Sequence, residues 1–119
     1  MYGIKAYQDR EVMTQSKGRL IVLLFDGAIK FMKLAIKELE AKNYEAKGRY
    51  INKALDIINE LNAILDMNAG GEMALNLRNL YCFMTKHLSE ANIKRDPQRI
   101  RDVIKLMGEL NQGWKLISC

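Results

Sequence analysis

Residues 51–65 read INKALDIINELNAIL, and this stretch decides the fold. Its apolar residues recur at spacings of three and four, which is the period of an α-helix. They form two neighbouring stripes, the first made of Ile51, Leu55, Ile58 and Leu65 and the second of Tyr50, Ile57, Leu61 and Ile64. Together the stripes exceed the arc of about 100° that an ordinary surface helix buries. We therefore predict a helix over residues 44–67 with apolar surface on more than one side.

The same periodicity predicts three further helices. Helix one is expected over residues 17–42, helix three over residues 72–93, and helix four after Asp96, which can cap it with Pro97 in its first turn. The predicted inner faces contain Leu20, Leu24, Ala28, Phe31, Met32, Ala35 and Leu39 in helix one, Met73, Leu77, Leu80, Met84, Leu88 and Ala91 in helix three, and Ile100, Val103, Met107, Leu110, Trp114 and Ile117 in helix four. Because Trp114 falls in register with this last face, we expect it to be largely buried.

Turn residues separate the four helices. Asn43 is expected to end helix one and cap helix two, and residues 68–71 to form the next turn, with Gly70 or Gly71 in a left-handed conformation. Such short connections favour antiparallel neighbours, so we predict an all-α, antiparallel four-helix bundle. The 119 residues suffice for one domain, which we divide into an N-terminal arm (1–16) and the bundle (17–119).

Gly27 lies inside predicted helix one, and Gly108 and Gly113 lie inside helix four, where each costs about 1 kcal/mol relative to alanine. For Gly27 we expect close packing against a neighbouring helix. For Gly108 and Gly113 two interpretations stay open, close packing or a helix four that gives way when a partner binds.

The residues that catalysis or metal binding needs are sparse. His87 is the single histidine, and Met84 stands where a Glu-x-x-His motif needs glutamate. Cys82 lies five residues from His87, so the two side chains would point in different directions from one helix. Cys82 and Cys119 fit no metal or disulfide pattern. We predict a protein that is not an enzyme and has no cofactor or metal.

Charge and hydropathy limit the partners. The net charge of +5 is spread over every segment and interleaved with acids, which favours a solvated surface over a nucleic-acid interface. The longest apolar run, 20–25, is far shorter than the roughly 20 residues of a membrane span, and the N-terminus lacks a signal-peptide pattern. We expect a cytoplasmic protein without nucleic acid or membrane insertion.

Several motifs, in the right order along nearly the whole chain, resemble the flagellar secretion chaperone FliS family. They are Tyr7, the segment RLIVLLFDGAI at 19–29, Gly70-Gly71-Glu72, Asn76-Leu77, Leu80-Tyr81, Glu109-Leu110 and Trp114. Two positions depart from the family pattern, since Lys17 stands in place of the usual proline and Phe25 in place of the usual tyrosine. Both departures concern only the start of helix one.

The resemblance implies a function. FliS-like proteins are antiparallel helical bundles that bind the C-terminal segment of flagellin in the cytoplasm. They prevent premature polymerisation and deliver flagellin to the flagellar type III export apparatus. Those properties come from the resemblance and not from periodicity or charge.

The surplus stripe of helix two is the predicted binding groove, because exposed apolar surface commonly marks a binding site. We expect the N-terminal arm to lie over it until a partner arrives. The predicted partner-binding residues are Tyr7, Tyr50, Ile57, Leu61, Ile64 and Leu65. The plainer alternative is that the stripe widens the core contact of a central helix. Two other functions stay open, a basic regulator that binds nucleic acid and a bundle subunit that dimerises, although a monomer is favoured.

Overall fold

The computed structural model describes the backbone of residues 2–118 and the side chains of residues 17–116. That backbone forms no strand and four helices, α1 (Tyr2–Glu40), α2 (Tyr44–Ala63), α3 (Met67–Lys94) and α4 (Pro97–Ser118). Helix α1 packs against α2 and α4, and α3 packs against the same two helices. The predicted all-α four-helix bundle is confirmed.

Polar contacts show the antiparallel register of neighbouring helices. Asn111, late in α4, donates through Nδ2 to Oδ1 of Asp26 at 2.7 Å, while Arg101, early in α4, pairs with Glu40 at the end of α1 at 3.2 Å. Similar contacts join the other neighbours, namely Lys47 with Asn92, Arg78 with Asn62, and His87 with Asp102. These contacts lie at matching heights along helices that run in opposite directions.

The described members of the predicted inner faces are buried or half-buried, with two exceptions, and the side chain of Ile117 lies outside the described residues. Leu20 is 43% exposed and Met73 is 69% exposed. In α1 the innermost position near this end belongs to Phe25, which is fully buried, and the inward face of α3 begins at Ala74. The buried core contains Phe25, Ala28, Met32, Ala35, Leu39, Ile51, Ala54, Ile58, Leu61, Leu77, Tyr81, Met84, Leu88, Ala91, Ile100, Val103 and Met107.

The boundary between α2 and α3 differs from the prediction. Helix α2 ends at Ala63 rather than at residue 67, and α3 already begins at Met67. Asp66 causes the early start, because its Oδ1 accepts the backbone N–H groups of Asn68 at 3.1 Å and Ala69 at 3.0 Å. The segment 68–71, predicted as a turn, is therefore a helical turn that ends at a kink.

The predicted caps of α2 and α4 are confirmed, whereas the predicted start of helix one is not. The side chain of Asn43 accepts the N–H of Ala46 and caps α2, and Asp96 accepts the N–H of Gln98 just before Pro97 opens α4. Helix α1 begins well before the predicted residue 17, since its helical backbone starts at Tyr2. The side chains of 1–16 lie outside the described residues, so the role of this segment as an arm stays a prediction.

Gly27 differs from the two glycines of α4. A methyl group added at Gly27 would lie 3.3 Å from Cδ1 of Ile57, tighter than ordinary contact, which confirms close packing of α1 on α2. At Gly108 and Gly113 an added methyl group would meet nothing within 4 Å among the described residues. Among the residues whose side chains the structure describes, close packing does not explain the two glycines of α4.

Gly71 and Gly108 make a matched pair for a stability test. Both have open space where a methyl group would go, but Gly71 sits at φ 55° and ψ −130°, a conformation that L-residues avoid. We expect Gly71→Ala to lower the free energy of unfolding by about 1–3 kcal/mol. Gly108→Ala should raise it by about 1 kcal/mol through helix propensity alone. Urea melts of the two variants check both signs, and equal effects would show that the kink at Gly71 is unimportant.

Candidate functional site

The second stripe of α2 divides into two parts in the folded protein. The part of the stripe formed by Tyr50 and Ile57 packs on α1. The ring of Tyr50 stacks on Phe31 with centroids 6.1 Å apart, and Ile57 lies against Gly27. Tyr50 and Ile57 are both half-buried against the core. This part of the stripe matches the plainer alternative, a widened contact with a central helix.

The part of the stripe at the end of α2, formed by Leu61 and Ile64, lines a cavity at one end of the bundle. Leu61 is only 2% exposed and belongs to the core, so a charged residue substituted there would lie in the core. Ile64 and Leu65 are half-buried. The cavity has a volume of about 130 Å³. We call it the end cavity, and it is lined by Lys17, Ile21, Leu61, Ile64, Leu65, Asp66, Tyr81 and Trp114.

Aromatic rings from three helices meet beside the end cavity. The ring of Phe25 in α1 lies 6.4 Å from that of Tyr81 in α3 and 6.5 Å from that of Trp114 in α4. Trp114 is partly buried and packs against the core, as its predicted place on the inner face of helix four requires. It also forms a wall of the cavity near the end of α4.

Tyr81 carries a hydroxyl group on an almost fully buried ring. Burial disfavours the charged phenolate and raises the pKa of Tyr81 to about 12. The hydroxyl therefore stays protonated at physiological pH, and Tyr81 lines the cavity as a neutral residue.

This raised pKa predicts a pH dependence of stability. The unfolded chain loses the Tyr81 proton near the ordinary pKa of 10.0, while the folded chain keeps it until about 12. Between these pH values the unfolded state binds fewer protons, so the stability that Tyr81 contributes is lost as the pH rises from 10 to 12. We expect the melting temperature of Tyr81→Phe to fall less over this range than that of the unchanged chain. Parallel curves would mean that the Tyr81 hydroxyl reaches water freely.

Exposed apolar side chains concentrate around the same end of the bundle. They come from the turns of α1 just after residue 17, the first turns of α3 and the last turns of α4. These three parts meet where α2 ends. We call this set the apolar end, and it consists of Leu20, Leu23, Met73, Leu75 and Leu116. For Leu20 and Met73 the sequence pattern predicts core positions, because an apolar residue at helical spacing has the same pattern whether or not a neighbouring helix covers it.

A second, shallower depression follows the outer face of α1. It has a volume of about 530 Å³ and is lined by Asp26, Ile29, Lys30, Lys33, Leu34 and Lys37. Three lysines thus share one helix face, a local basic strip that the even distribution of charge along the sequence did not predict.

Of the residues considered for catalysis, His87 is engaged in contacts with its neighbours and Cys82 is exposed. His87 stacks on Phe83, with centroids 4.9 Å apart, and its Nε2 lies 3.2 Å from Oδ2 of Asp102. Hydrogen bonds from Gln98 and His87 lower the pKa of Asp102. Cys82 is an exposed free thiol. In the part of the chain that the structure describes, no three His, Cys, Asp or Glu side chains cluster as a metal site would require.

Comparison with known proteins identifies the family. A family model described as Flagellar protein FliS matches residues 1–118. The chain belongs to the FliS family. This agrees with the resemblance seen in the sequence, to which the Phe-Asp-Gly segment of α1, Gly70-Gly71 and Trp114 contribute. The phenylalanine of that segment is the core residue Phe25.

Individual FliS relatives span nearly the same length. The chain is 42% identical to the flagellar secretion chaperone FliS of Salmonella typhimurium, over 98% of this chain and 90% of that protein. It is 35% identical to the protein of the same name from Vibrio cholerae, over 97% and 88%, and 34% identical to that of Bacillus subtilis, over 92% and 81%. The family is thus one of flagellar secretion chaperones.

The predicted partner-binding residues of this FliS-family chain cluster around α2. Five of the six lie on α2 or directly after it, and three of those line the end cavity. The sixth, Tyr7, has its side chain outside the described residues. Among the described residues, no helix combines the length and apolarity needed to cross a membrane.

Proposed function

We propose that this chain binds the C-terminal segment of flagellin in the cytoplasm, keeps it from polymerising and delivers it to the flagellar type III export apparatus. A secretion chaperone needs a client, and the names of the relatives specify flagellar secretion. The observation that carries the proposal for this chain is the apolar end, since several exposed apolar side chains at one end of a bundle are a candidate protein-binding site.

The contact would begin at the end of α2. Ile64 and Leu65 are half-buried beside the end cavity, and Leu20 and Leu23 offer exposed apolar surface on α1 nearby in the fold. An amphipathic or extended client segment can cover such side chains and exclude water from them. Tyr50 and Ile57 would support this surface through α1, and Tyr7 with the rest of the arm would cover it while no client is bound.

Two alternatives to flagellin binding give different results in solution. A second copy of this chain would produce a concentration-dependent dimer without flagellin, whereas we propose a monomer that acts by binding alone, without catalysis or cofactor. The strip of Lys30, Lys33 and Lys37 favours a second candidate function, binding of nucleic acid.

Salt dependence separates the two candidate functions. Flagellin binding through apolar surface should change less than about threefold between 50 and 200 mM salt. Nucleic-acid binding should lose affinity steeply, because each neutralised phosphate releases a counterion. The experiment titrates the chain with the flagellin C-terminal segment and, separately, with a DNA duplex. Lys33→Gln serves as the control, since it should affect only the second titration. Binding of DNA but not of the flagellin segment would contradict the proposal.

A further inference from the structure

We infer that the end cavity is a socket for one apolar side chain of the client, which anchors the rest of the segment across the apolar end. This inference rests on the proposed function and adds to it the chemistry of one contact. The occupant is a single branched aliphatic or aromatic residue in the flagellin C-terminal segment.

The size of the end cavity sets the size of the occupant. Its volume of about 130 Å³ is close to that of an engineered apolar cavity of about 150 Å³ that binds benzene. One benzene-sized ring or branched aliphatic group fits such a space, and two do not. The end cavity therefore suits one residue rather than a stretch of helix.

The walls explain why an apolar group would enter. Ile21, Ile64 and Leu65 form half-buried apolar walls, and the buried Leu61 closes the inner side. A side chain inserted here would be removed from water where it contacts the walls, to which all four helices contribute. Side chains that fill well-packed pockets dominate the binding energy of protein interfaces.

The charged residues favour a peptide over a free hydrocarbon. Lys17 and Asp66 line the same cavity and carry opposite charges. A peptide presents a carbonyl acceptor and an N–H donor on either side of each side chain. The carbonyl can accept from the ammonium of Lys17 while the N–H donates to the carboxylate of Asp66. Asp66 already accepts two backbone N–H groups through Oδ1, and a carboxylate has a second oxygen for a further donor.

The structure supplies both a reporter and a matched pair of variants. Trp114 is the only tryptophan of the chain and lines the cavity, so a side chain that displaces water there should shift its fluorescence to shorter wavelength. Ile21→Phe adds volume to a cavity wall. Ile36→Phe makes the same change at a half-buried α1 position about four turns away.

The test titrates the full-length chain with the flagellin C-terminal segment and follows affinity and Trp114 emission. We expect a blue shift for the unchanged chain, at least tenfold weaker binding for Ile21→Phe, and a change below threefold for Ile36→Phe, with equal helix content by circular dichroism. Equal affinity of folded Ile21→Phe and Ile36→Phe would overturn the socket while leaving flagellin binding intact.

Benzene tests the socket without any substitution and keeps the test valid if Ile21→Phe does not fold. It should shift Trp114 emission of the unchanged chain and weaken binding of the flagellin segment. Binding of the segment with no effect of benzene on emission or affinity would overturn the socket alone. A benzene shift without segment binding would overturn the proposed function, and with it the assigned occupant. An emission shift on concentrating the chain alone would assign the cavity to a second copy and overturn the inference.

Discussion

Phe25→Ala is expected to lower the free energy of unfolding by about 3–5 kcal/mol, more than a substitution of any half-buried ring in the bundle. The ring of Phe25 is fully buried and joins three helices, because it lies beside Tyr81 of α3 and Trp114 of α4. Removing it leaves a cavity that helices held by other contacts cannot close. The melting temperature should fall by roughly 10–20 °C.

Two variants of less buried rings give the scale for this result. Trp114→Ala should cost less than Phe25→Ala, because the indole is half-buried and already faces a cavity. Phe83→Ala should cost about 1 kcal/mol or less, since Phe83 is half-exposed. Denaturant melts of the three variants measure the order. If Trp114→Ala were the most damaging, the centre of the aromatic cluster would lie at Trp114 instead of Phe25.

Ile64→Asp is expected to weaken binding of the flagellin C-terminal segment by at least tenfold, which corresponds to about 1.4 kcal/mol. Burying an isoleucine side chain in an interface contributes roughly 1.5–3 kcal/mol, and a carboxylate at the same place would have to lose its water. The bundle should stay folded, because Ile64 is half-buried and follows the last turn of α2 with an unstrained backbone.

Ile93→Asp is the matched control for this binding experiment. It makes the same substitution at an isoleucine that is 82% exposed near the end of α3, at the opposite end of the bundle. Its effect on affinity should stay below threefold, and both variants should retain the helix content of the unchanged chain. If the two substitutions weaken binding equally, the contact is spread over the bundle and the assignment to the α2 end is wrong.

The fold was largely predictable because helical periodicity and capping act locally. Asn43 and the Asp96-Pro97 pair mark helix ends through contacts within a few residues, and both predictions are confirmed. Asp66 also caps a helix, but the apolar residues on either side of it, Leu65 and Met67, continue the helical pattern. The sequence therefore did not indicate a helix boundary at Asp66. The period alone does not show where the backbone breaks.

The candidate site was only partly predictable, because its shape depends on which helix covers which face. Ile57 and Ile64 share one stripe of α2, yet Ile57 meets α1 at Gly27 while Ile64 borders an open cavity. Leu20 and Met73 have the spacing of core residues in the sequence. In the fold both are exposed, at the end of the bundle where α2 stops. That distinction needs the helix lengths and register, which come from contacts far apart in sequence.

Calorimetry of this chain with the flagellin C-terminal segment tests the central claim most directly. We predict one-to-one binding at micromolar concentrations, with a negative heat-capacity change because apolar surface leaves water on both partners. Circular dichroism of the mixture should show added helix if the segment folds as it binds. Absence of any binding heat at several temperatures and micromolar concentrations, with the chain fully folded, would contradict the account.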